Sequence, residues 1–281
     1  MKKYFTLVAI LSTILLVCLL NACSCIQEIE VHYTGDAPTS EEIWKQCMSP
    51  SVLIKTKEEG STETTAWATA TLIDKVKASE VKIEGISVDN NSYIYFFLTA
   101  KHVIEQPPAF IIFSMPIERK ETFEIEFVVY DDFGYPSDKH ILSENDDNLF
   151  FILKSKDWDV AIVAVVTDMD VNVQSVDLIH EAASDQYRVG QKVYAVGSPG
   201  FPIPSFRYGM VSLVFYNRII LDIGVGGGCS GGGVFNEEGK MIGMMTGSYN
   251  QFLGGALPMH LIYEFMRENN IELEGVMCDG L

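Results

Sequence analysis

Short apolar runs separated by polar turns dominate the chain from residue 51 to 257. SVLIKT (51–56), TAWATATLI (65–73), SYIYFFLTA (92–100), AFIIFSM (109–115), FEIEFVVY (123–130), NLFFIL (148–153) and DVAIVAV (159–165) are rich in β-branched and aromatic residues. After a polar connection at 167–188 the same texture returns in QKVYAVGS (191–198), YGMVSLVFY (208–216), RIILDIG (218–224), GGVFN (232–236) and KMIGMMTG (240–247). Such runs read as strands, and no helical pattern of 10–15 residues separates them, so the pattern predicts antiparallel barrels or sandwiches rather than a βαβ sheet. The polar connection divides the strands into two lobes, about 50–166 and about 190–257. The charge-rich stretches 75–91 and 131–148 read as surface excursions.

Helical signals stand only at the two ends of this region. Thr39 and Glu42 have capping-box spacing, and the helix they open is short, ending near Ser49-Pro50. Pro258 suits a first helical position, and Met259, Ile262, Phe265 and Met266 fall on one face of a helix at about 258–269, expected to pack on the second lobe. The expected fold is therefore all-β, with two six-stranded antiparallel barrels, a short N-terminal helix and a C-terminal helix, in one domain spanning 39–281.

The N-terminus has a different character. Lys2 and Lys3 precede an uncharged apolar run from 4 to 20 and then Asn21-Ala22-Cys23, the layout of a secretory signal over 1–22. The length of the run also admits an uncleaved membrane anchor. Leu20-Asn21-Ala22-Cys23 resembles a bacterial lipobox. The resemblance implies that Cys23 is lipidated and that 23–38, polar and containing Pro and Gly, tethers an exported protein to a membrane of the bacterial cell envelope.

The chain carries a formal net charge of −18, and loss of Lys2 and Lys3 takes it to −20. That excess of acid argues against nucleic acid and anionic lipid as partners. Six cysteines include no CxxC pair and no His/Cys cluster at zinc spacing, so neither a metal nor another cofactor is expected. A bridge between Cys47 and Cys278 is permitted in an oxidising compartment and stays open.

Candidate chemistry centres on GVGGGCSGGGVF (224–235), where seven of the first ten residues are glycine. Gly228-Cys229-Ser230-Gly231-Gly232 satisfies two templates. As G-x-S-x-G it would be the nucleophile elbow of an α/β-hydrolase esterase, which needs its acid and histidine after the serine and a mostly parallel sheet. Only His260 follows, on a helix face, and the strands upstream read as antiparallel. As G-x-S-G-G it requires a histidine and an aspartate upstream, in that order. Thr99-Ala100-Lys101-His102 and Asp159-Val160-Ala161 supply them, 57 residues apart and with 71 more to Ser230. Each motif alone is commonplace; the ordered set is specific. Read on Cys229, the frame loses the glycine that follows the nucleophile, so Ser230 is preferred.

These three motifs resemble those of trypsin-like serine peptidases, most of all the bacterial HtrA/Deg type, over roughly 51–269. VGSPG…YGMVS (196–212), KMIGMMTG and the position of Asp222 resemble the same type, whereas Ala68 and Ala70 stand where those proteases tend to have glycine. The resemblance implies a chymotrypsin-like double barrel and an endopeptidase acting on polypeptides through an acyl-enzyme. His102, Asp159 and Ser230 would form its triad, and the backbone N–H groups of Gly228 and Ser230 its oxyanion hole. Asp222, Gly226, Thr246 and Gly247 would be substrate-binding. Small uncharged residues at 224–227 predict small or medium aliphatic P1 side chains, with Asp222 kept as a possible partner for Lys or Arg. Cys229 stands where digestive trypsins carry the aspartate that receives a newly cut N-terminus, so zymogen activation of that type is not expected. No PDZ domain is expected after the protease, and oligomeric state stays open. The competing reading from another class is an exported protease-fold binding protein that no longer cuts.

Overall fold

The computed structural model describes residues 39–58, 64–80, 89, 91–105, 121–131, 135–144, 148–184, 186–200, 203–250 and 252–271. The chain divides between Ala37 and Pro38, and every described residue lies after that division. The leader, Cys23, the tether, the 109–115 run and Cys278 lie outside the described residues.

The expected capping box opens α1 (Ser40–Met48): the Glu42 N–H donates to Thr39 Oγ1 at 3.2 Å and the Thr39 N–H donates to Glu42 Oε2 at 2.7 Å. Its buried side chains Ile43, Cys47 and Met48 join a core that includes Tyr194, Phe235, Met259 and Phe265, so the first element of the domain packs on the second lobe. Cys47 is a free thiol there, pushed up by burial to about 12.

The first lobe is a seven-stranded antiparallel sheet. Its strands are β1 (Ser51–Glu58), β2 (Thr64–Lys77), β3 (Tyr93–Thr99), β4 (Glu121–Tyr130), β5 (Pro136–Ser143), β6 (Leu149–Lys154) and β7 (Ala161–Thr167), in the order β5-β4-β1-β2-β3-β7-β6. Among the described residues it thus has one strand more than the six expected, arranged as a sheet where a closed barrel was expected. Residues two apart on each strand share one face, and Val52/Ile54, Ala68/Ala70/Leu72, Tyr95/Phe97, Ile125/Phe127 and Val163/Val165 build the core that way. The alanines are inward-facing core positions, while Thr69 and Thr71 point to the opposite face. The 131–148 stretch is not simply a surface excursion: β5 runs through it as an edge strand, mostly exposed, with Leu142 its one fully buried side chain. Across β1, β4 and β5 the buried carboxylates of Glu124 and Glu126 are held by lysines. Lys57 reaches Glu124 at 2.5 Å, Lys139 reaches Glu126 at 2.7 Å, and Lys55 also pairs with Glu126.

The second lobe is a closed six-stranded barrel, as expected. Its strands are β8 (Lys192–Gly197), β9 (Ser205–Phe215), β10 (Arg218–Leu221), β11 (Gly233–Phe235), β12 (Met241–Ser248) and β13 (Gly254–Pro258), in the order β10-β13-β12-β11-β8-β9. β13, GGALP, carries almost no apolar pattern of its own, yet it closes the barrel between β10 and β12. All named strand pairs in both lobes are antiparallel, which excludes the α/β-hydrolase alternative.

The polar connection is laced to both lobes. On one side the Val176 N–H donates to the Leu72 carbonyl at 2.9 Å; on the other, the Ile179 N–H donates to the Met241 carbonyl at 3.1 Å. α2 (Lys101–Glu105) is a short turn of helix after β3, and α3 (Met259–Glu268) follows β13, with Pro258 standing one place before its first helical residue. Met259, Ile262, Phe265 and Met266 are buried as expected, together with Leu261 and Tyr263.

Phe265 is fully buried between α3 and the second lobe. Phe265→Ala is expected to destabilise the domain by about 3–5 kcal/mol, read from the midpoint shift in urea unfolding.

Candidate active site

Three separate pieces of backbone bring His102, Asp159 and Ser230 together. β3 ends in the buried Thr99 and Ala100, and the chain turns directly into α2, which presents His102 at the lobe seam. Asp159 sits at the end of a tight loop before β7. The Ser155 hydroxyl shapes this loop by accepting the Trp158 N–H at 3.1 Å, and the Ser155 N–H donates to the Val160 carbonyl at 3.0 Å. Ser230 lies in the glycine-rich loop ahead of β11.

The geometry is that of an ordered relay. His102 Nδ1 lies 2.7 Å from Asp159 Oδ2, and the His102 backbone N–H donates to Asp159 Oδ1 at 3.0 Å. His102 Nε2 lies 2.9 Å from Ser230 Oγ. An ionised carboxylate only accepts, so the proton of the neutral imidazole resides on Nδ1 and Nε2 is left as acceptor for the Ser230 hydroxyl. Partial burial pushes the Asp159 carboxyl up, but the two His102 hydrogen bonds and the nearby Lys101 charge outweigh it, and the group ends below the usual aspartate value. Asp157, the other acid of the loop, bonds through its N–H to Ser155 Oγ at 3.3 Å and does not join the relay.

The loop that carries Ser230 is tied down from both lobes. The Cys229 N–H donates to the Gly226 carbonyl at 3.2 Å, and the Gly231 N–H donates to the Met245 carbonyl at 2.8 Å. From the first lobe, the Thr69 N–H donates to the Ser230 carbonyl at 3.0 Å, and Thr71 Oγ1 donates to the Gly231 carbonyl at 3.2 Å. Gly228 has φ +97° and Gly231 φ +88°, the left-handed region that favours glycine. A Cβ at Gly228 would collide with the Ser198 carbonyl, and one at Gly231 with the Thr69 carbonyl. The glycine at 231 therefore admits β2 of the first lobe. Among the described residues, neither the Gly228 nor the Ser230 N–H has a protein acceptor.

The candidate specificity residues are more dispersed. The Asp222 carboxylate accepts the Met210 N–H on the rim between β9 and β10, and is engaged there. Gly226 lies against Pro199, Thr246 Oγ1 reaches the Gly255 carbonyl at 3.4 Å, and Gly247 borders open space. Cys229 is a buried free thiol. Arg207, which the sequence did not single out, donates to its Sγ at 3.1 Å and to the Gly224 carbonyl. Thr69 was likewise not anticipated; its signal is the alternation Ala68-Thr69-Ala70-Thr71, which puts hydroxyls on the face away from the core. Among the described residues, no group of three or more His, Cys, Asp or Glu side chains is placed to hold a metal ion.

No curated protein matches this sequence. Solved structures share the fold at low identity. The serine endoprotease from Yersinia pestis aligns with TM-score 0.53 and 18% identity, over 84% of this chain and 68% of that one. Deg5 aligns with TM-score 0.55 and 18% identity, over 86% of this chain and 100% of that one. The HtrA-type protease AlgW, solved with a tripeptide, aligns with TM-score 0.53 and 17% identity, over 84% of this chain and 64% of that one. Residues 84–244, a stretch that contains His102, Asp159 and Ser230, match the family described as trypsin-like peptidase domain. With that match covering more than half of its length, the chain belongs to the trypsin-like peptidase family.

Proposed function

We propose that this serine endopeptidase is exported and cuts polypeptides through a Ser230–His102–Asp159 triad and an acyl-enzyme. The observation that supports the reading best is the unbroken chain of contacts at 2.7 and 2.9 Å from Asp159 through His102 to Ser230. Ser230 Oγ attacks the scissile carbonyl and its proton passes to His102 Nε2. The negative charge on the tetrahedral oxygen is met by the N–H groups of Gly228 and Ser230, which have no competing protein acceptor among the described residues. Collapse of the intermediate breaks the C–N bond, and His102 returns the proton to the leaving amine. Water then repeats the sequence on the ester and frees Ser230. Asp159 keeps the imidazole in the required tautomer and stabilises its charged form.

The secretory signal over 1–22 and the lipobox-like Leu20–Cys23 support export and attachment to a bacterial membrane through acyl chains on Cys23. Among the described residues no helix is long and apolar enough to cross a membrane. Small uncharged residues at 224–227, together with an Asp222 carboxylate already bonded to Met210, favour small or medium aliphatic P1 side chains over Lys or Arg. A peptide-library cleavage profile dominated by Arg or Lys at P1 would contradict that preference.

Ser230→Ala and His102→Ala are each expected to lower kcat on a peptide substrate by about a million-fold, Asp159→Asn by about ten-thousand-fold, and Cys229→Ser only mildly. Full activity in Ser230→Ala would move the hydrolysis to another site, and a wild type that cuts nothing would leave the protease-fold binding protein. Because Asp159 titrates below its usual value of 3.8, its stabilising contribution is fully present above that value and is lost as the pH falls through its own lower one. The stability gap between wild type and Asp159→Asn is therefore expected to close on acidification below 3.8, read by urea unfolding at successive pH values. The intact mass of active enzyme from membranes is expected to show a chain starting at acylated Cys23 with no internal cut. Activity that appears only after a cut would refute constitutive assembly of the site.

A further inference from the structure

We infer that Thr69 is a positioning residue for the oxyanion site, setting the orientation of the Gly228 peptide through its hydroxyl. This rests on Ser230 being the nucleophile. Thr69 is fully buried and belongs to the first lobe, yet it bonds to three residues of the second. The Ser198 N–H donates to Thr69 Oγ1 at 3.1 Å, which leaves the hydroxyl proton for the Gly228 carbonyl at 2.8 Å. The Thr69 N–H holds the Ser230 carbonyl at 3.0 Å, and the Thr69 carbonyl accepts the Thr99 hydroxyl at 2.9 Å.

The consequence follows from peptide planarity. The peptide joining 228 to 229 is held at both ends, its carbonyl by Thr69 Oγ1 and its N–H by the Gly226 carbonyl. The peptide before it, joining 227 to 228, is held by the Gly200 N–H on the Gly227 carbonyl at 2.9 Å. Two fixed planes about Cα228 fix the direction of the Gly228 N–H. Glycines at 226, 227 and 228 offer little resistance of their own to rotation, so the restraint must come from these bonds. A valine at 69 keeps the shape but leaves the Gly228 carbonyl and the Ser198 N–H without their partner, which releases one plane.

The experiment compares wild type, Thr69→Val and Thr69→Ser, with kcat normalised to the Ser230 sites titrated by an organophosphorus fluoride. A peptide boronic acid, which places an oxygen in the oxyanion site, and the product peptide capped as its C-terminal amide, which brings no charge there, serve as paired inhibitors. Thr69→Val is expected to lose about 10- to 100-fold in kcat per titrated site with KM changed less than about threefold, and to weaken the boronic acid by a similar factor but not the product. Thr69→Ser, which keeps the hydroxyl, is expected to stay within about threefold of wild type. Unaltered kcat in Thr69→Val, or a loss confined to the number of titratable sites, overturns the inference. If Thr69→Val does not fold, Thr69→Cys, with a poorer donor in nearly the same volume, carries the same comparison. An active wild type with an unaffected Thr69→Val refutes the role of Thr69 alone; a wild type without Ser230-dependent hydrolysis refutes the catalytic reading and this one together.

Discussion

The site depends on one close approach of backbone to backbone. β2 of the first lobe must lie near enough to the nucleophile loop of the second for the Thr69 N–H to reach the Ser230 carbonyl at 3.0 Å. Only a residue without Cβ at 231 permits that distance, because any side chain there would occupy the space of the Thr69 carbonyl. His102 follows and Asp159 precedes a strand of the sheet that holds Thr69, the neighbouring β3 and β7 respectively. Their alignment with Ser230 is thus inherited from strand pairing within the first lobe and from one seam between the lobes.

The convergence of His102, Asp159 and Ser230 was legible in the sequence because its constraints are local and ordered. A histidine must follow a buried strand, an aspartate must precede one, and the serine must sit in a frame of glycines, each in a fixed succession. Other elements carry no such mark. GGALP becomes a strand because the barrel requires a partner for both β10 and β12, a tertiary demand invisible in five residues with little apolar periodicity. PSDKHILS was hidden for the opposite reason: an edge strand needs few buried side chains, and Leu142 alone gives too weak an alternation to separate it from a loop. Thr69 escapes because its role at the seam depends on what the other lobe brings, about 130 to 160 residues away, and Arg207 because its partners lie on a turn of the same barrel about 20 residues on.

Charge is distributed with the same economy. In a chain with 20 basic and 38 acidic residues, Lys55, Lys57 and Lys139 are placed on the two buried carboxylates of β4. Burial pushes the Glu126 carboxyl up, yet its lysine partners bring it below the usual value, so it stays ionised inside the sheet. Loss of either partner would strand a charge.

The position of α1 has a consequence for how the domain comes into being. Its Ile43, Cys47 and Met48 share a buried cluster with residues of β8, and the helix packs on β8 and β9, roughly 150 to 170 positions later in the chain. A chain leaving a ribosome or a translocation channel amino end first therefore exposes this helix before any of its neighbours exist. Its cap can hold the turn locally, but its apolar face is covered only after β8 and β9 have emerged. The first helix of the domain thus waits for the second lobe, and a nascent chain stalled before β8 displays an unfinished surface to whatever accompanies it.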